Sequence, residues 1–163
     1  MLQENVFLLL GSNLGDRLVC LRYGIAEIER HLGLVVRRSQ IYETAPWGKT
    51  DQPNYLNQAV QIETQLSSSD LLNKMLDIEK SLGRTREEKW AARTLDIDLI
   101  YFGNQIIQTP HLIVPHPRIA ERRFVLTPLA EISSDFIHPV LKKTNTTLLK
   151  ECSDGLSVKI FTS

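Results

Sequence analysis

The sequence is poor in cysteine, in long apolar runs and in net charge. Only two cysteines, Cys20 and Cys152, occur in 163 residues. That count excludes a disulfide-dense scaffold, leaves room for one bridge, and points to a reducing compartment. No apolar run approaches the ~20 residues of a membrane-spanning helix. The N-terminal run Val6–Leu10 is too short for a signal core and has no basic segment before it. Lys+Arg and Asp+Glu both number 19, so the overall field draws the chain toward neither a nucleic acid nor a membrane. Any attraction for phosphate must be local. Repeats, low-complexity tracts and linkers are also missing. With 42% hydrophobic and 23% charged residues, the chain reads as one domain over residues 1–163 with a real core. The expectation is a cytoplasmic monomer.

Two nucleotide-binding fingerprints are absent as well. Gly48-Lys49-Thr50 resembles the end of a P-loop, but the position that needs the first glycine holds Glu43. The stretch GSNLGD lacks the G-x-G-x-x-G spacing of a dinucleotide fold.

What is present is ordered. Val6–Leu10 reads as a buried strand. Leu14, Leu18, Leu21, Ile25, Ile28 and Leu32 then follow helical spacing, with Asn13 as the predicted cap, Asp16 in the first turn and Gly33 as the stop. Leu34–Thr44 and Tyr55–Gln65 are predicted strands, separated by the loop APWGKTDQPN. Ser68-Ser69-Asp70 opens a second helix that Gly83 ends. A strand over RTLDIDLIYFG follows, and Gly103-Asn104 is predicted to turn it into a short partner at Gln105–Ile107. Beyond the proline-punctuated TPHLIVPHP, a helix is expected from Pro117 to about Arg123, and a weaker one through TLLKE. The order β-α-β-β-α-β is the split βαβ, ferredoxin-like pattern of an α+β fold, with helices on one face of a mainly antiparallel sheet and later elements, added helices and a short hairpin, around it.

Within that frame Asp96 and Asp98 stand two residues apart on a strand, so their carboxylates share a face about 6–7 Å apart. A wet strand face would explain them, but apolar residues in both phases around the pair argue for a largely buried strand. Two oxygen ligands without nearby His or Cys suit a hard ion such as Mg²⁺ rather than zinc. Just upstream, Arg84, Arg86, Lys89 and Arg93 lie in a loop that also holds Trp90. Such a run is usually solvated surface; next to a carboxylate pair it can grip a polyphosphate. Tyr55 and Asn57 share a strand face and can stack on and hydrogen-bond a flat heterocycle. His116, between two prolines and near Arg118, Arg122 and Arg123, can donate to a phosphate.

The stretches GSNLGDR, YETAPWGKTDQPNYLNQAV, IEKSLGR, KWAARTLDIDLIYFG and VPHPRIAERRFVLTPLAEI together resemble the 6-hydroxymethyl-7,8-dihydropterin pyrophosphokinases of folate biosynthesis. The resemblance runs almost end to end and is loosest in KKTNTTLLKEC. It implies transfer of pyrophosphate from ATP to the hydroxymethyl group of the reduced pterin, releasing AMP, with two Mg²⁺ ions arriving with ATP. By the match, Asp96 and Asp98 would hold the metals. Arg84 and Arg93 would neutralise the group in transfer, and Arg86 and Trp90 would close over ATP. His116, Arg122 and Glu79 would meet the nucleotide. Thr44, Trp47, Tyr55, Asn57 and Phe124 would form the pterin pocket. Ala92 where the family often has proline, a loop before Trp90 about one residue short, and Trp47 in place of a smaller aliphatic residue depart from the pattern. Two alternatives stand beside it: a Mg²⁺-dependent nucleotidyltransferase with another acceptor, and a ferredoxin-like RNA-binding module, which the neutral charge disfavours.

Overall fold

The structure, a computed structural model, describes residues 1–46, 51–82 and 94–162. Strand β1 (Gln3–Ser12) leads into helix α1 (Arg17–His31), then strands β2 (Leu34–Arg38), β3 (Tyr42–Thr44) and β4 (Tyr55–Thr64). Helix α2 (Ser68–Ser81) precedes β5 (Asp96–Phe102), the short pair β6 (Ile107–Gln108) and β7 (Ile113–Val114), a 3-10 turn at Ile119–Glu121, α3 (Arg123–Ile132), α4 (Asn145–Glu151) and β8 (Val158–Ile160). The main sheet runs β5-β1-β4-β3-β8, with β2 also on β4. Each of its pairings is antiparallel. With β2 and β3 taken as one interrupted strand, the first five strands have the ferredoxin-like order.

Both faces of the sheet are covered. Val6, Leu8 and Leu10 of β1 pack with Ile97 and Leu99 against Leu21, Ile25 and Ile28 of α1 and Leu71, Met75 and Ile78 of α2. Phe7 and Leu9 pack with Ile100 and Tyr101 against Val125, Leu126 and Leu129 of α3 and Leu148 of α4. Fully burying one such side chain contributes about 1.5–3 kcal/mol, so the two layers together dominate stability. The register of β1 on β5 shifts between Phe7 and Leu8. This bulge changes the phase of β5, so the strand is apolar in both phases once past Asp98.

Several local expectations change. Helix α1 is capped by Asp16, whose carboxylate accepts from Val19 N at 3.1 Å; Asn13 instead donates to Gln52 Oε1 and Pro53 O. Gly33 does follow the helix, because a Cβ there would collide with the Glu63 carbonyl. The predicted strand over Leu34–Thr44 is broken: Ser39 Oγ donates to the Gln40 carbonyl and takes Ala59 N–H, turning the chain between β2 and β3. The Gly103-Asn104 turn does not fold a strand back onto β5; β6 pairs with β7. The helix expected from Pro117 is only the 3-10 turn, and the longer α3 begins after it with Pro128 inside. The later helices α3 and α4, expected as additions around the core, cover the second face. They leave one end of it open, and the site lies there.

Candidate active site

The open end is framed by three strands in register. Gly11 of β1 stands opposite both Asn57 of β4 and Asp96 of β5. Strands lie about 4.8 Å apart, so Asn57 and Asp96 flank a gap roughly 10 Å wide whose floor is a residue without a side chain. A Cβ on Gly11 would come within 2.8 Å of Asn57 Oδ1 and 3.4 Å of the Tyr55 ring. Asn57 cannot swing aside freely. It is buried, and its Nδ2 donates to Thr44 Oγ1 at 2.9 Å. The bond also orients the amide, aiming its oxygen over Gly11.

Around this floor lies a cavity of about 540 Å³, part of it open to solvent, lined by Gly11, Thr44, Tyr55, Asn57, Asp96 and Asp98 from the sheet. Arg122 and Phe124 close it from the start of α3. No side chain of the helix's own caps α3; Asp154 accepts from Arg123 N, while the Arg123 guanidinium donates to the carbonyls of Asp154 and Cys152. Asp154 thus sets the angle at which Arg122 and Phe124 enter. The Arg122 guanidinium lies 5.6 Å from the Phe124 ring centre. Burial lowers the Arg122 pKa, and Asp98 and Asp96 work against that shift. A buried cation therefore sits in the field of the aspartate pair, and Phe124 and Tyr55 both line the cavity.

A second cavity, of about 850 Å³ and more open, lies beyond β5. Asp96 and Asp98 line this one too, with Glu79, His111, Leu112 and His116. The two carboxylates therefore stand on a wall shared by both spaces. His116 N donates to Ile100 O at 3.0 Å, fixing the proline-flanked segment along the outer edge of β5. Its Nδ1 accepts from Arg118 N at 3.3 Å, so in the neutral ring the proton resides on Nε2. Burial first, and then the charge of Arg122, lower its pKa to about 4 against the pull of Asp96, with Arg118 adding to the lowering.

That shift has a testable sign. An unfolded histidine titrates near ~6.5, so between there and about 4 the unfolded chain holds a proton that the folded chain lacks. Stability of the nucleotide-free protein must fall as pH drops through that window. His116→Asn is expected to flatten the slope by up to one proton, measured by urea unfolding at several pH values in that range. His138, lowered by burial as well, gives a slope of its own, so the difference between variant and wild type is the readout. Identical slopes would contradict the assignment.

Of the residues singled out from sequence, Thr44, Tyr55, Asn57 and Phe124 meet in the first cavity. Glu79 and His116 meet in the second. Arg122, expected at the nucleotide, lines the first cavity. Trp47, Arg84, Arg86, Trp90 and Arg93 lie outside the described residues. Sequence reading missed Gly11, because its contribution is the absence of a side chain. The only available signal was its place at the end of β1, before Ser12-Asn13.

Comparisons with known proteins identify the family. The family described as 7,8-dihydro-6-hydroxymethylpterin-pyrophosphokinase (HPPK) matches residues 7–134. A 2-amino-4-hydroxy-6-hydroxymethyldihydropteridine pyrophosphokinase of Bacillus subtilis is 50% identical over 127 residues, 77% of this chain and 76% of that protein. One from Aquifex aeolicus is 38% identical over 156 residues, covering 96% of this chain and 94% of that one. Among solved structures, the wild-type Plasmodium falciparum HPPK-DHPS superposes with a TM-score of 0.73 at 15% identity, over 91% of this chain and 43% of that one. The chain thus spans less than half of that solved chain, and at this identity the likeness concerns the fold alone. Fold and sequence kinship converge: the chain belongs to the 7,8-dihydro-6-hydroxymethylpterin-pyrophosphokinase family.

Proposed function

We propose that this chain transfers the terminal pyrophosphoryl group of ATP to the hydroxymethyl group of 6-hydroxymethyl-7,8-dihydropterin, releasing AMP. The single observation that carries the reading is the shared wall: Asp96 and Asp98 line both cavities. A reaction that joins two substrates needs its charged group where they meet. The first cavity suits a flat heterocycle. Tyr55 and Phe124 offer ring faces, and the Asn57 amide, held by Thr44, offers hydrogen bonds to the ring edge. The second cavity suits the nucleotide, with His116 donating from Nε2 toward its phosphates.

In this arrangement the hydroxymethyl oxygen attacks the β-phosphorus of ATP. The bond from that phosphorus to the oxygen bridging it to the α-phosphorus breaks, AMP leaves with the electron pair, and the hydroxyl proton passes to water. The protein's tasks are to align the substrates, exclude water and offset charge. Arg122 keeps a cation beside the carboxylate pair, and Arg84 and Arg93 fit the role of neutralising the group in transfer. Arg86 and Trp90 fit closure over ATP, and Trp47 the rim of the pterin pocket.

The half-buried aspartate pair also fits magnesium. Its donors are hard oxygens, and among the described residues no group of three His, Cys, Asp or Glu converges, so the remaining ligands would come from the triphosphate and water. Two Mg²⁺ ions arriving with ATP would supply charge neutralisation at the triphosphate. Family membership favours this reading over an RNA-binding module or a nucleotidyltransferase. Cys20 and Cys152 are free thiols, in keeping with a cytoplasmic protein, and we read the active species as a monomer. The test is incubation with ATP, Mg²⁺ and the reduced hydroxymethylpterin. AMP is expected in step with pterin consumption; ADP in its place, or no pterin dependence, would reject the reading.

A further inference from the structure

Glu79 occupies an unfavourable place for a carboxylate. It lies in the last turn of α2, at the negative end of the helix dipole, and only 2% of its surface is exposed. Such a position needs a strong hydrogen bond to be tolerated. One is present: Glu79 Oε2 accepts from the backbone N of Ile97 at 2.7 Å. Among the described residues, strand β5 is the outermost of the main sheet, so this N–H points away from β1 and has no described strand to receive it. Ile97 is also the residue between the two aspartates.

We propose that Glu79 is a positioning residue: by holding the outward N–H of Ile97 it fixes the twist of β5 and so the direction of both flanking carboxylates, Asp96 and Asp98. The second tether lies three residues on, where Ile100 O accepts from His116 N at 3.0 Å. Between the two tethers the strand has one conformation, and the pair presents its oxygens to the shared wall without rearranging. Glu79 thus acts on the metal-binding pair through the backbone and not by touching the nucleotide. The inference rests on the reading of Asp96 and Asp98 as the metal site, and its test is arranged so that the two can fail separately.

Three variants separate reach from charge. Glu79→Gln keeps an oxygen able to accept from Ile97 N–H but removes the charge. Glu79→Asp keeps the charge but shortens the reach by a methylene. Glu79→Ala removes both. Amide hydrogen exchange at Ile97, followed by NMR in the nucleotide-free protein, is expected to quicken at least about tenfold in the Asp and Ala variants and to stay near wild type in the Gln variant. Mn²⁺ affinity, measured by electron paramagnetic resonance with a non-hydrolysable ATP analogue present, should fall about 10- to 100-fold in the same two variants and be retained in the Gln variant, as for other groups that orient metal ligands. Affinity for the analogue without metal should be unchanged in all three. A Gln variant that loses Mn²⁺ affinity while the Asp variant keeps it would overturn the proposal in favour of charge. Lost metal-free analogue affinity would overturn it in favour of direct nucleotide contact. If Ile97 exchange behaves as expected but wild-type Mn²⁺ binding is insensitive to Asp96→Ala, the metal-site reading fails and the backbone tether stands.

Discussion

Asp96→Ala is expected to slow AMP release by at least about a thousandfold while leaving the thermal midpoint of the nucleotide-free protein unchanged or slightly higher. The two halves have one cause. Asp96 and Asp98 share a strand face and repel each other, and burial in the β5 wall adds to that cost. Removing one carboxylate relieves the repulsion, and because Asp96 is only half-buried no large cavity is left behind. The loss falls on catalysis, where the proposed role of the pair is to bring cations to the triphosphate. A thousandfold corresponds to about 4 kcal/mol of transition-state stabilisation, a reasonable share for the group that sets charge at the reacting phosphorus. Rapid-quench measurement of AMP, with a melting curve on the same sample, checks both halves. Turnover within tenfold of wild type would remove the carboxylate from the chemistry.

Gly11→Ala is expected to weaken pterin binding about 10- to 100-fold and to leave the affinity for an ATP analogue unchanged. The new methyl would meet Asn57 Oδ1 at 2.8 Å. The amide must tilt and surrender its 2.9 Å bond to Thr44, and a misaimed amide that loses its hydrogen bond to the heterocycle costs about 1–3 kcal/mol, roughly 5- to 150-fold in affinity. The methyl also occupies the floor on which the ring would lie. Fluorescence titration with the pterin, and calorimetry with the analogue, separate the two cavities. Equal pterin affinity would mean that the heterocycle does not rest on β1.

The contrast between Asp96 and Gly11 also describes what sequence could and could not reveal. The helices α1 and α2 were legible because their apolar spacing reports directly on Leu21, Ile25, Met75 and Ile78, which are buried. Asp96 and Asp98 were legible because acids in an apolar strand are physically anomalous, and Tyr55 with Asn57 because strands alternate. The break between β2 and β3 was hidden, since it depends on where Ser39 bonds across to β4. Helix α3 was hidden by Pro128 and by a cap, Asp154, drawn from 31 residues downstream. Arg122 was assigned to the nucleotide by resemblance; the turn before α3 places it in the lining of the first cavity. Glu79 was placed near the nucleotide by resemblance, but its bond to a backbone amide belongs to tertiary structure and leaves no pattern to read.

The C-terminal tail had little to identify it, and it lies outside the region matched to the family. Strand β8 nevertheless pairs Val158 with Thr44 and Ile160 with Tyr42, and Phe161 N donates to Ile41 O at 2.8 Å. Thr44 in turn receives the Asn57 amide. The seam that secures one wall of the first cavity is therefore sewn by a segment beyond residues 7–134. A substitution in β8 thus reaches Asn57 through Thr44 without altering any side chain that lines the cavity.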